Sequence, residues 1–143
     1  MNILGLNISH DASLCVLENG EIKLFHKEER LSGIKKDPQI YKSLDKVING
    51  SYQIDEIVVS GLNFHSIGNA KIFSADPDRL SIYLKEHFGN IPITFLNDDH
   101  HLCHAAGVFY NSGFDKSLIF VIDGSGSIHG DGFHECESVF SGS

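Results

Sequence analysis

The first 27 residues constrain the fold more than any other stretch of this chain. Ile3 to Ile8 is a compact apolar run, Ser9-His10-Asp11 is a polar turn, and Ala12 to Leu17 is a second apolar run. Glu18-Asn19-Gly20-Glu21 follows, and an Asn-Gly pair supplies the two positive-φ positions of a tight hairpin. Ile22 to Lys27 then alternates, with Ile22, Leu24 and His26 on one side and Lys23, Phe25 and Lys27 on the other. Strands joined by turns this short pair antiparallel, because a parallel connection needs a crossover of about a dozen residues.

The pattern changes after Lys27. Glu28 to Pro38 is charged and non-periodic and reads as a loop facing a site or as a solvated connection. Gln39 to Ile48 carries Ile40, Tyr41, Leu44, Val47 and Ile48 at helical spacing, and Asn49-Gly50 stops it. Ile54 to Ser60 is a strand, and Gly61 to Ser74 is a long loop. Asp76-Pro77-Asp78 starts a helix that runs to about Phe88 and ends at Gly89-Asn90. Ile93 to Phe95 is a short strand. A helix from Asp98 or Asp99 reaches about Tyr110, with Asn111-Ser112-Gly113 as its stop. Leu118 to Asp123 is a buried-type strand, and Phe133 to Phe140 reads as another.

The expected fold is therefore α/β, with three antiparallel strands followed by alternating helix and strand in a mixed sheet with helices. That is the ribonuclease-H-like layout of an actin-like lobe, shared by the actin, hexokinase and heat-shock ATPase superfamily. The fold normally comes as two lobes with a nucleotide between them. No internal repeat or Pro/Gly/Ser-rich linker interrupts the chain, so residues 1–143 read as a single N-terminal lobe of a longer protein, with the second lobe missing.

Composition narrows the function. Eleven basic and 19 acidic residues give a net charge of −8, which weighs against nucleic acid and against an anionic membrane surface. No apolar run approaches the roughly 20 residues of a membrane helix. Met1-Asn2-Ile3-Leu4 lacks a basic n-region and reads as a first strand rather than a signal peptide. Three cysteines, with no CxxC spacing, fit free thiols in a reduced, cytoplasmic compartment, and Cys15 and Cys103 sit among apolar neighbours and are expected to be buried. Nine histidines are many for this length and raise the prospect of a metal or acid–base role.

The strongest chemical signal lies between Asn97 and Ser127. His100 and His104 are four residues apart, hence about 40° apart around a helix, so both imidazoles can reach one ion. They fall near the helix start, where the dipole favours neutral imidazole. Asp123 at the end of the following strand completes two His and one carboxylate, a set that suits Fe(II), Mn(II) or Zn(II) with open positions. His101 lies roughly 100° off the shared face and is expected beside the site or exposed. Asp123-Gly124-Ser125-Gly126-Ser127 is a nest-type turn whose backbone N–H groups suit a phosphate. The first turn, Asn7 to Ser13, occupies the position of the first phosphate loop in actin-like folds, so His10 or Asp11 is expected to face the site. Lys35 and Lys36 offer positive charge in an acidic chain.

Four blocks carry a family resemblance: Gly5-Leu6-Asn7 with His10-Asp11-Ala12-Ser13, Glu28-Glu29-Arg30-Leu31-Ser32 with Lys35-Lys36-Asp37, His100-His101-Leu102-Cys103-His104-Ala105-Ala106, and Val121-Ile122-Asp123-Gly124. In order and spacing they resemble the N-terminal part of the NodU/CmcH-type O-carbamoyltransferases. The resemblance implies an actin-like carbamoyltransferase domain that passes a carbamoyl group to a hydroxyl of a sugar, antibiotic or similar small metabolite. The donor would be carbamoyl-adenylate, made from carbamoyl phosphate and ATP by a C-terminal YrdC-like domain. It also implies iron at His100, His104 and Asp123, with a further ligand from the second lobe, and catalytic roles for His10 as base and Lys35 as charge stabiliser. Asp11, Gly124, Ser125 and Gly126 would contact the nucleotide. The fragment alone would be inactive and prone to self-association or homo-oligomer formation, its partners being the missing lobe and the YrdC-like domain.

Three alternatives compete. An ATP-dependent phosphotransferase of the sugar-kinase kind shares the fold and the Asp-Gly-Ser-Gly turn, but it would not need His100 and His104 and would prefer Mg²⁺ held by carboxylates and water. A tRNA threonylcarbamoyl-transfer relative would need a basic surface. A non-catalytic metal-binding lobe, kept for assembly, needs only the His/His/Asp set.

Overall fold

The opening strands form as their turns require. In the computed structural model, which describes residues 1–9, 11–61, 77–96, 99–124, 126–127, 132 and 134–143, strand β1 is Asn2–Asn7, β2 is Ser13–Glu18 and β3 is Glu21–Lys27. Both pairs are antiparallel, with Leu4 opposite Val16 and Leu6 opposite Leu14 in the first. Asn19 and Gly20 have φ of 53° and 86°, the two positive-φ positions of the hairpin turn. The chain divides into two compact units, Met1–Phe95 and Leu96–Ser143.

In the first unit, β4 (Glu56–Ser60) adds to β1 in parallel, and β5 (Ile93–Leu96) completes a five-stranded mixed sheet of order β3-β2-β1-β4-β5. Leu4 and Leu6 of β1 stand opposite Ile57 and Val59 of β4. With Leu14 and Val16 these residues form one face, all essentially inaccessible to water. Helices α2 (Tyr41–Ile48) and α3 (Pro77–Phe88) contribute Leu44, Val47, Leu80 and Leu84 to the same core. Pro77 opens α3 where its missing N–H costs nothing, and Gly89, at φ 79°, ends it by donating to the Lys85 carbonyl at 2.9 Å. The layout is mixed α/β, three antiparallel strands followed by alternating helix and strand, as expected.

Three local expectations are corrected. Glu28 to Ser32 is a short helix, α1, rather than a loop, closed by Gly33 in the left-handed region. Five residues are too few to show periodicity. The last strand, β7, spans Glu137–Gly142 rather than beginning at Phe133, because its pairing with β6 (Ser117–Ile122) runs from Ile122 opposite Glu137 to Ser117 opposite Gly142. Cys15 and Cys103 are half-buried rather than buried. The expected loop from Gly61 to Ser74 falls almost entirely outside the described residues.

Helix α2 has an unusual N-terminus. Its cap residue Ile40 offers no side-chain acceptor. The orphan donors are met instead by Glu28, a residue only 1% exposed, whose Oε1 accepts from the Lys42 N–H at 2.9 Å and whose Oε2 accepts from the Ser43 N–H at 2.8 Å. Glu28 is itself tied to the β1–β2 turn through its N–H, which donates to the Ala12 carbonyl at 2.8 Å. One buried carboxylate thus joins the first turn, the end of β3 and the start of α2. The second unit comprises α4 (His100–Ser112), β6 and β7, with α4 packed on both strands. No helix among the described residues is long and apolar enough to cross a membrane.

Glu28→Ala leaves the buried Ser43 N–H and the part-buried Lys42 N–H without their acceptor and is expected to cost about 2–4 kcal/mol in urea denaturation. Ser43→Ala, which removes a buried hydroxyl that has no hydrogen-bond partner, should be neutral or stabilise by up to about 1 kcal/mol. An equal loss from both variants would contradict this assignment.

Candidate metal centre

Three side chains converge at the junction of α4 and β6. The helix places the imidazoles of His100 and His104 on one face, with their Nε2 atoms 3.1 Å apart. Asp123, one residue beyond β6, brings its Oδ2 to 2.8 Å from His100 Nε2 and 3.6 Å from His104 Nε2. Its other oxygen is occupied, since Oδ1 accepts from the Gly124 N–H at 2.6 Å. The Asp123 N–H donates to the Cys136 carbonyl at 2.9 Å, which fixes the strand end. Oδ2 is therefore the oxygen turned toward the histidines.

Among the described residues these are the His, Cys, Asp and Glu side chains grouped to hold a metal ion. Tetrahedral ligands bonded at about 2.0–2.2 Å stand about 3.3–3.6 Å from one another. The observed separations approach that triangle, and a few tenths of an ångström of opening would complete it. The three side chains are 39%, 56% and 36% exposed, so one side of the triangle faces outward and leaves positions for water or a ligand. Two nitrogens and one oxygen favour Zn(II), Fe(II) or Mn(II) over Mg²⁺, which prefers oxygen and retained water.

The hydrogen bond from His100, followed by that from the Gly124 N–H, holds the Asp123 carboxyl below its usual range. A depressed carboxyl stabilises the folded state fully above its unfolded value, and the contribution is lost as pH falls through the folded value.

Of the two places expected for His101, it takes the one beside the site, its ring centroid 5.9 Å from that of the ligand candidate His100. It is fully buried, with Nδ1 2.7 Å from Ser138 Oγ. Gly126 lies so close to this ring that a Cβ would come within 2.8 Å of His101 Nε2, so the position admits only glycine. The nest expected for phosphate is internally hydrogen-bonded in this conformation. The Gly124 N–H turns to Asp123, the Gly126 N–H donates to the Glu135 carbonyl at 2.6 Å, and the Ser127 N–H donates to Glu135 Oε2 at 3.0 Å. Ser125 lies outside the described residues, as does His10. Burial raises the Cys103 thiol pKa, with Asp99 adding to the effect, which argues against a nucleophile there.

The other expected site residues belong to the first unit. Asp11 Oδ1 lies 3.4 Å from Lys27 Nζ, and Lys27 also reaches Glu29 Oε1 at 3.7 Å. Lys35 is exposed, and Lys36 beside it adopts a left-handed φ of 56° while its N–H donates to Glu29 Oε2 at 3.1 Å. Lys27 and Glu29, which line this turn, were not singled out from sequence. Glu135 was not singled out either, and Ser127 only as a member of the turn after Asp123; their link to α4 spans about 30 residues and leaves no periodic trace.

No protein-family model matches the chain. Two solved structures resemble it. One is Lmo2764 of Listeria monocytogenes, provisionally described as an N-acetylmannosamine kinase, at 17% identity and a TM-score of 0.47 over 87% of this chain and 45% of the other. The second is a ROK family protein from Streptococcus pneumoniae TIGR4, solved in complex with sucrose, at 16% identity and a TM-score of 0.48 over 87% of this chain and 44% of the other. The chain thus spans less than half the length of these structures. At such values the likeness does not extend to activity. The expected membership of the NodU/CmcH-type O-carbamoyltransferases is corrected by these findings. No family model supports it, and the solved structures found are of ROK or sugar-kinase description rather than carbamoyltransferases. Carbamoyl phosphate, carbamoyl-adenylate and the YrdC-like partner fall with it.

Metal analysis of the purified chain should find one Zn(II) or Co(II) taken up per molecule. His100→Ala or Asp123→Ala should weaken binding by about 100-fold or more. Without metal, the stability difference between wild type and Asp123→Asn should be present at pH 7 and shrink below about pH 4. A difference that persists at low pH would show that the carboxylate–histidine bond is not its source.

Proposed function

We propose that this chain is the metal-binding lobe of an ATP-dependent phosphotransferase of the sugar-kinase kind, acting on a hydroxyl of a small metabolite. The convergence of His100, His104 and Asp123 carries the metal-binding part of the reading, with donors that depart from the Mg²⁺ site usual for such enzymes. A divalent ion held there, with positions open on the exposed side, can take phosphate oxygens of ATP as ligands and withdraw charge from the transferred group. The order β3-β2-β1-β4-β5, with a tight turn between β1 and β2, supports the phosphotransferase part. In this reading His10, Asp11 and Lys35 of the first unit, and Gly124, Ser125 and Gly126 of the second, are each proposed to take part in binding ATP. Zn(II), Fe(II) and Mn(II) are the candidate ions. The partners proposed are the small hydroxyl acceptor and a second lobe, with self-association of the chain, and the net charge of −8 speaks against nucleic acid. A cytoplasmic setting fits the free thiols.

A second reading, a metal-binding lobe that assembles without catalysis, is favoured by one observation. Leu118, Phe120 and Ile122 of β6 and Val139 of β7 form an exposed apolar face, a surface suited to covering by another protein element.

Calorimetric titration of ATP into the Zn(II)- or Mn(II)-loaded chain separates the two. The phosphotransferase reading expects binding that requires the metal and disappears in Asp123→Ala. Metal uptake without any ATP binding would leave the assembly reading. ATP binding indifferent to the metal would remove the ion from the mechanism.

A further inference from the structure

Helix α4 begins at a candidate ligand, since His100 is its first residue. The first turn of a helix frays unless its N–H groups find acceptors. The residue before it, Asp99, makes no side-chain cap, so the acceptors come from elsewhere. Ser127 Oγ accepts from the His100 N–H at 3.2 Å. Glu135 Oε2 accepts from the His101 N–H at 3.4 Å and from the Ser127 N–H at 3.0 Å. The segment is then closed on itself, because the Gly126 N–H donates to the Glu135 carbonyl and the Glu135 N–H donates to the Ser127 carbonyl at 3.0 Å. The close approach of Gly126 to the buried His101 ring seals the contact.

We propose that Glu135 and Ser127 are the positioning residues of the metal centre, a remote cap that clasps the loop after Asp123 onto the first turn of α4 and so sets His100 against Asp123. The role rests on the metal-site reading given above. Both act on the backbone of the helix start, through the His100 and His101 N–H groups. Glu135 acts through two backbone N–H groups, and its negative charge at the helix N-terminus adds to the hold. His104 lies a full turn further on and does not depend on the cap. Loss of the cap therefore frees His100 while leaving His104 in place, and the expected result is a weaker, lower-coordinate site rather than no site.

Co(II) titration tests this with a spectroscopic readout. The d–d absorption of bound Co(II) reports coordination number and geometry. Glu135→Ala is expected to weaken Co(II) binding about tenfold, to change the band shape, and to speed amide exchange at His100 and His101. Glu135→Gln keeps an acceptor oxygen and should restore the wild-type band, with less than about a threefold loss of affinity. If Glu135→Ala does not fold by circular dichroism, Ser127→Ala decides the matter. It removes only the acceptor of the His100 N–H and should weaken binding about threefold to fivefold. Wild-type affinity and spectrum in a folded Glu135→Ala or, in its place, Ser127→Ala would overturn the positioning role while leaving the metal site standing. Failure of the wild-type chain to take up Co(II) would overturn the metal reading and this role together.

Discussion

Helices α2 and α4 start without a side-chain cap of their own, and each is started by a glutamate brought from a distance. Glu28 satisfies the first turn of α2, and Glu135, with Ser127, satisfies that of α4. A helix as short as α2, with eight residues, does not hold together in water by itself. Its stability comes from Leu44 and Val47 in the core and from the carboxylate that ends its frayed donors. Because Glu28 is also bonded to Ala12, the sheet, the first turn and the helix order together. The same device in the second unit bears on chemistry, since the turn it holds carries a candidate ligand.

What the sequence displays well is local. Alternation in β1 and β2, the Asn19-Gly20 turn, the Pro77 start of α3 and the Gly113 stop of α4 are set by side chains within a few residues of the backbone they shape. The pairing of His100 with His104 is equally local, and Asp123 follows because a strand end must deliver its residue somewhere near the preceding helix. The borrowed caps are different. Glu28 in a charged run reads as solvated, and nothing near it signals that Lys42 and Ser43 need an acceptor. His101 illustrates the same limit. Its angle on the helix places it off the ligand face, but only the strand β7 carrying Ser138 determines that this direction points inward. The family resemblance failed for another reason. Short motifs such as His-x-x-x-His and Asp-Gly are the minimal solutions for a helix-borne pair of imidazoles and a strand-end carboxylate, so they identify a type of site more securely than a reaction.

The chemistry open to the site follows from its donors. Two imidazoles and a carboxylate leave a divalent ion with a net positive charge, in contrast to an all-carboxylate site that would neutralise it. The ion would thus keep the capacity to draw in an anion, and in a chain of net charge −8 such local reversal of sign is what an anionic ligand needs. The internally bonded nest after Asp123 sharpens the point. With its described N–H groups turned to Asp123 and Glu135, phosphate binding in this conformation would depend on the ion first.

The strand that carries Asp123 is only half supported. α4 covers one face of the β6–β7 pair, where Val121 is buried, while Leu118, Phe120, Ile122 and Val139 on the other are 60–77% exposed. A two-stranded ribbon with one bare apolar face is marginal in water. Its order therefore depends on α4, and the link to α4 runs through Ser127 and Glu135. The carboxylate ligand and the first histidine are thus held by one small set of hydrogen bonds. Any element that covered the bare face would stiffen β6 directly, fix Asp123 without the help of the cap, and so tighten the same ion. Assembly and metal binding are in this way coupled through a single strand, each favouring the conformation that the other requires.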